Sequence, residues 1–103
     1  MEEEKKVNTG RYSAKTKRQI QAENIAEDYP HVKRFFTAIF DIIAHEKEKD
    51  YTNFCKSNSI DGRNLQKVIT EPHRNLKVEY FGILVEKYGY SAEWLLTGKG
   101  KMK

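Results

Sequence analysis

Four polar side chains lie close together at Arg63, Asn64, Gln66 and Lys67, and their types suit contact with nucleic acid. Arg63 and Lys67 stand four apart, which on a helix places both on one face. An arginine guanidinium can fork onto O6 and N7 of guanine, and a lysine ammonium can donate to the same atoms. Asn64 and Gln66 carry amides able to pair with adenine or to hold a phosphate. Upstream, Tyr51 and Thr52 place hydroxyls at the start of an expected helix, where free backbone N–H groups also suit an anion. Downstream, His73, Arg74, Asn75 and Lys77 supply donors for a phosphate backbone. Gly62, ahead of Arg63, leaves one position of the same face without a side chain. The plainer reading of an exposed Arg and Lys is a solvated helix surface, so the surrounding elements must decide.

Those elements read as helices. Asp50 is placed to cap a helix containing Tyr51, Phe54 and Cys55 on its inner face. Asn58, Ser59 and Ile60 form a turn. Asp61 caps the next helix, residues 62–70, with Leu65, Val68 and Ile69 inward, and Pro72 closes it. The most periodic segment precedes this pair: Val32, Phe35, Phe36, Ile39, Phe40 and Ile43 recur at helical spacing after Pro30, and the helix is expected to reach about Lys47. A fourth helix of the domain spans about Lys77 to Tyr88, with Val78, Phe81, Leu84, Val85 and Tyr88 inside and Gly89 at its end. Ser91 caps a last helix, Ala92 to Leu96, which brings Trp94 and either Leu95 or Leu96 onto the core. Residues 13–28 suggest a further helix with a thin apolar stripe of Ile20, Ala22, Ile25 and Ala26, extended by Tyr29. Residues 1–11 are polar and aperiodic, as a frayed terminus would be. No segment alternates with period two. The expected fold is all-α: residues 30–103 as one compact five-helix domain, residues 1–29 as an N-terminal extension with a helix.

The chain has 103 residues, the size of one modest domain. Its twelve aromatics, 5 Phe, 6 Tyr and 1 Trp, enlarge a small core. The opening MEEEKKVN is polar and acidic, unlike a secretory signal. The most apolar stretch, Phe35 to Ala44, is too short for a bilayer. One cysteine, Cys55, excludes an internal disulfide and suits a reducing cytoplasm. Its reading is a small core residue rather than a reactive thiol. His31, His45 and His73 are widely spaced and lack a CxxC partner, so no metal is expected. No nucleophile–base motif or phosphate-binding glycine loop is present, so neither a cofactor nor an enzymatic activity is expected. Net charge is +4, with pI about 9.1. Residues 1–30 balance six basic against six acidic side chains, whereas residues 61–103 carry eight against five. The downstream excess is what phosphate attraction requires. The basic run Lys15, Lys17 and Arg18 reads as a solvated face or as an N-terminal arm touching DNA.

With helices in this order, residues 31–102 resemble the lambda-repressor-like helix-turn-helix family, the Xre-type regulators. The closest likeness is to phage-repressor-type members ending in a variant of Trp-Leu-Leu-Thr-Gly-x-Gly; here residues 88–102 read YGYSAEWLLTGKGKM. The family pattern of an aromatic or Leu, Ala, two polar residues, Leu, Gly, Val and Ser resembles Phe54 to Asp61, with Cys55 as the small residue where the helices cross. Asn58 stands where the family has an apolar residue, and Ser59 where Gly is common. Asn tolerates positive φ better than Ser, which favours a turn shifted by one residue. The Asn-Gly-Lys segment common after the second helix is replaced by Thr70 to Arg74.

The resemblance implies a sequence-specific double-stranded DNA-binding transcriptional regulator, a cytoplasmic repressor of phage or mobile-element type. Helix 62–70 would enter the major groove, with Arg63, Asn64, Gln66 and Lys67 reading bases. Tyr51, Thr52, His73, Arg74, Asn75 and Lys77 would hold phosphates. A homodimer on a pseudo-palindromic operator is implied, because one short helix reads few base pairs. The dimer contact would come from the domain, from the helix at 13–28 or from a region outside this sequence. The alternative is a protein-interaction module, antitoxin-like or anti-repressor, keeping the fold with DNA readout weakened or lost. A membrane-binding role conflicts with the aromatic face at residues 32–43, which the core needs.

Overall fold

A computed structural model describes residues 16–103. Residues 1–11 and the start of the helix expected at 13–28 fall outside them. The described residues form six helices and no strand. They are α1 (Lys17–Glu23), α2 (Pro30–Ala44), α3 (Tyr51–Ser57), α4 (Gly62–Thr70), α5 (Val78–Tyr88) and α6 (Ala92–Thr97).

Local chemistry accounts for most of the boundaries. Asp50 accepts from the Asn53 N–H at 2.8 Å, and Ser91 accepts from that of Trp94 at 3.1 Å. Thr16 does the same for Gln19, at 3.1 Å. Each satisfies a donor that has no partner inside its helix. Pro30 opens α2, where its missing N–H costs nothing. Helix α1 is shorter than residues 13–28, ending at Glu23 with turns up to Tyr29. Helix α2 stops at Ala44, short of Lys47. There Glu46 takes φ 60°, while the Lys47 and Glu46 N–H groups donate back to Ile42 and Ile43 carbonyls. That left-handed closure consumes carbonyls the helix would otherwise leave unpaired.

Helix α2 is the hub, packed against α1, α3, α5 and α6. Its Phe35, Phe36, Ala38, Ile39 and Ile42 have no exposed surface. Phe40 and Ile43, expected on that face, are half-buried, and Ala38 and Ile42 share the interior instead. Phe35 meets Phe36 edge-on at 5.3 Å and Phe81 at 5.1 Å between ring centroids. Such pairs add about 0.5–1.5 kcal/mol each beyond their buried area. From α6, Leu95 is fully buried and Leu96 is exposed, which resolves the sequence ambiguity. Val78 was expected inside and is 73% exposed: it is the first residue of α5, before that helix reaches the core. Ile20 is also exposed, so α1 packs through Ala22, with Ile25 just beyond it. Tyr90 was not expected in the core but is buried. Its N–H closes α5 onto the Leu84 carbonyl at 3.1 Å after Gly89 turns left-handed, swinging the ring inward.

Candidate nucleic-acid interface

The α3–α4 pair is set by a four-residue connection, Asn58 to Asp61. Asn58 closes α3, Ser59 takes φ 56°, and the Ile60 and Ser59 N–H groups donate to the carbonyls of Cys55 and Lys56 at 2.9 and 3.3 Å. This Schellman closure places Ile60 in the core. The positive φ sits at Ser59, so the turn is not shifted to Asn58 as the residue preferences favoured. The reason is a polar node at Asn58. Its Nδ2 donates to the Phe54 carbonyl at 2.8 Å and to the Tyr88 hydroxyl at 3.0 Å, and its Oδ1 accepts from Lys87 at 3.0 Å. The Tyr88 hydroxyl donates in turn to Glu48 at 2.8 Å. Asn58 is held by partners from α5 in a conformation its own turn preference does not select.

The helices cross at two small residues. A Cβ placed on Gly62 would lie 3.4 Å from Cys55 Sγ and 3.6 Å from the Tyr51 ring. Those are ordinary van der Waals distances, so the crossing has room for a Cβ, and the effect of Gly62 is to leave that face bare. The Tyr51 hydroxyl donates to the Gly62 carbonyl at 2.9 Å. Burial raises the Tyr51 phenol far above its ordinary value, with the neighbouring Cys55 adding to the rise and Arg18 opposing it. Burial also raises the Cys55 thiol, against the neighbouring Tyr51 hydroxyl and the nearby Arg18 charge. Both groups stay protonated at neutral pH.

Asp61 accepts from the N–H groups of Arg63 and Asn64, at 3.0 and 3.2 Å, and fixes the start of α4. Arg63 and Lys67 then project into solvent, and neither side chain is paired among the described residues. Asn64 is exposed but folds back, its Nδ2 donating to Asp61 at 3.1 Å. Gln66 is half-buried beneath α1: Arg18 Nε donates to its Oε1, and its Nε2 faces Gln21 Oε1 at 3.4 Å. Tyr51, expected to offer its hydroxyl to phosphate, is turned inward with that hydroxyl engaged. Thr52 stays exposed beside it.

Two depressions flank the start of α4, and Asp61 borders both. One, of about 560 Å³, gathers Thr52, Arg63 and Gln66 with Arg18 and Lys56. The other, of about 340 Å³, gathers Asn64, Arg74, Asn75 and Lys77. Lys67 and His73 are exposed outside both. Arg74 is ion-paired with Glu71 at 2.9 Å, so part of its charge is already answered. Sequence reasoning did not place Lys56 at this surface, and it offered Arg18 only as part of a basic run, solvated or in an arm touching DNA. Lys56 has a legible signal, standing one turn after Thr52. The position of Arg18 beside Thr52 and Lys56 has none, because it comes from the packing of α1 on α4.

No helix among the described residues is long and apolar enough to cross a membrane. In comparison with known proteins, no family model, curated protein or solved structure matches the chain, which leaves geometry and charge as the grounds for a functional reading.

Proposed function

We propose that the chain is a DNA-binding transcriptional regulator of the lambda-repressor-like type, with α3 and α4 as its helix-turn-helix and α4 as the reading helix. One observation carries this reading. The α4 face turned away from the core presents Arg63 and Lys67 exposed and unpaired, on a helix whose start is locked by Asp61, Tyr51 and the Cys55–Gly62 crossing. Rigid placement of two cations one turn apart is what a major-groove probe needs. With Asn64 tied to the cap and Gln66 beneath α1, Arg63 and Lys67 are the primary base-reading residues. Thr52, His73, Asn75 and Lys77 are left as exposed donors for backbone phosphates.

Nine residues of helix span about 13 Å, roughly four base pairs at 3.4 Å each. That is too little for useful specificity, so the regulator acts as a dimer on a pseudo-palindrome. The test is Arg63→Ala combined with Lys67→Ala, assayed by gel shift against duplexes selected from a random pool. Binding is lost while the thermal transition stays in place; unchanged affinity would refute the assignment. The engaged state of Asn64 and Gln66 favours one rival, a protein-interaction module with weak DNA readout. A salt series separates the two, since phosphate-driven binding weakens steeply with salt and an apolar protein interface does not.

A further inference from the structure

We propose that Arg18 on α1, outside the helix pair, forms a phosphate-binding cradle with Thr52 and Lys56, beside the base-reading Arg63, making α1 a third element of the interface. The proposal rests on the duplex-binding reading above and adds a residue to it.

The guanidinium of Arg18 lies over the Tyr51 ring, 4.1 Å from its centroid. Its Nε donates to Gln66. Tyr51 is itself pinned to α4 through the Gly62 carbonyl, so ring and amide hold the guanidinium on two sides. Arginine carries five N–H donors in a rigid fork, and among the described residues only the one on Nε is used. Among the described residues no acceptor is paired with the Nη groups. Arg18 also lines the depression of about 560 Å³ shared with Thr52, Lys56 and Arg63. Three cations and a hydroxyl thus surround an open space whose one carboxylate, Asp61, already accepts from two backbone N–H groups and the Asn64 amide.

The cradle selects a tetrahedral oxyanion, and its position selects the source. It adjoins Arg63 at the start of α4, so a phosphodiester of the duplex read by α4 is the occupant. An arginine already stacked and hydrogen-bonded loses little side-chain freedom when it grips a phosphate. Gln66 in this arrangement orients Arg18, not a base.

The test uses the full chain, a short random-sequence duplex and a salt series. Arg18→Gln is the main variant, because it keeps an amide beside Gln66 without the charge; Arg18→Ala and Arg18→Lys accompany it. Circular dichroism and the thermal transition check the fold, and Arg18→Gln decides if Arg18→Ala unfolds. The expected result is a loss of about tenfold at low salt, with the slope of log K against log salt falling by about one. Arg18→Lys keeps most of the slope. A folded Arg18→Gln variant with wild-type affinity and slope overturns the cradle. If Arg63→Ala with Lys67→Ala still abolishes binding in that case, the DNA-binding reading survives; if the wild type binds no duplex, both fall. Inorganic phosphate, titrated while the amide signals of Thr52 and Arg63 are followed, tests the source. Saturation by free phosphate without competition against the duplex assigns the site to a small anion and overturns the backbone assignment.

Discussion

The Tyr51 hydroxyl reaches across the helix pair and donates to the Gly62 carbonyl at 2.9 Å. One phenol thereby ties the first residue of α3 to the first residue of α4, beside the Cys55–Gly62 crossing. The tie lies at the start of the helix that carries Arg63 and Lys67.

Tyr51→Phe keeps the ring and its stack with Arg18 but removes the bond. Loss of a typical hydrogen bond costs about 1 kcal/mol, which lowers the melting temperature of a domain this size by about 4–8 °C. Urea unfolding followed by circular dichroism measures it. Equal midpoints for variant and wild type would show that the bond does not couple the helices.

Ser59 holds φ 56°, a conformation that costs a residue with a Cβ about 1–2 kcal/mol. Ser59→Gly removes that strain at an entropic cost of about 0.5–1 kcal/mol. A net gain of about 0.5 kcal/mol is expected, and Ser59→Val should destabilise by more than 1 kcal/mol, roughly, because β-branching opposes positive φ. Chemical denaturation of the two variants in parallel reads the difference, and a Ser59→Val variant as stable as Ser59→Gly would contradict the turn geometry.

Asp61 caps α4 and also puts a negative charge between the two depressions. Asn caps about as well as Asp. Asp61→Asn should therefore leave the melting temperature nearly unchanged and tighten duplex binding several-fold at low salt, the gain shrinking as salt rises. Asp61→Ala should cost about 1 kcal/mol of stability through the lost cap. Weaker binding by a fully folded Asp61→Asn variant would mean that the carboxylate faces something other than phosphate.

Burial raises the phenols of Tyr51, Tyr88 and Tyr90 above 10.0 and the Cys55 thiol above 9.0, their ordinary values. For Tyr90, its bond to Asp41 at 2.6 Å adds to the rise. Each group holds its proton more tightly folded than unfolded. Their contribution is whole below pH 9 and falls as pH climbs past 9.0 for the thiol and 10.0 for the phenols, toward their folded values. Stability measured from pH 7 upward should decline beyond pH 9, and Tyr90→Phe should make the decline shallower. The same variant loses about 1.5 kcal/mol at neutral pH, since a charged acceptor strengthens the bond. A Tyr90→Phe curve parallel to wild type above pH 10 would remove Tyr90 from this account.

Helix positions follow from short-range chemistry, and so they were legible in the residues. Asp50, Asp61 and Ser91 cap their helices in the structure, Gly89 and Gly98 close theirs, and the apolar spacing of residues 32–43 marks the hub helix. The exposed face of Arg63 and Lys67 was legible for the same reason, because helical periodicity separates them from Leu65, Val68 and Ile69.

What the side chains do once folded was decided by partners distant in sequence. Tyr51 turns from a candidate phosphate donor into a brace because the packing of α3 on α4 brings the Gly62 carbonyl within 2.9 Å of its hydroxyl. Gln66 is drawn from the exposed face of α4 by Arg18, 48 positions away, and Asn58 is held by Tyr88, 30 positions away. Leu95 is buried and Leu96 exposed where α6 packs on α2. Periodicity and capping operate within a turn or two of chain. Brace, cradle and core are made by helix packing, which no local pattern encodes.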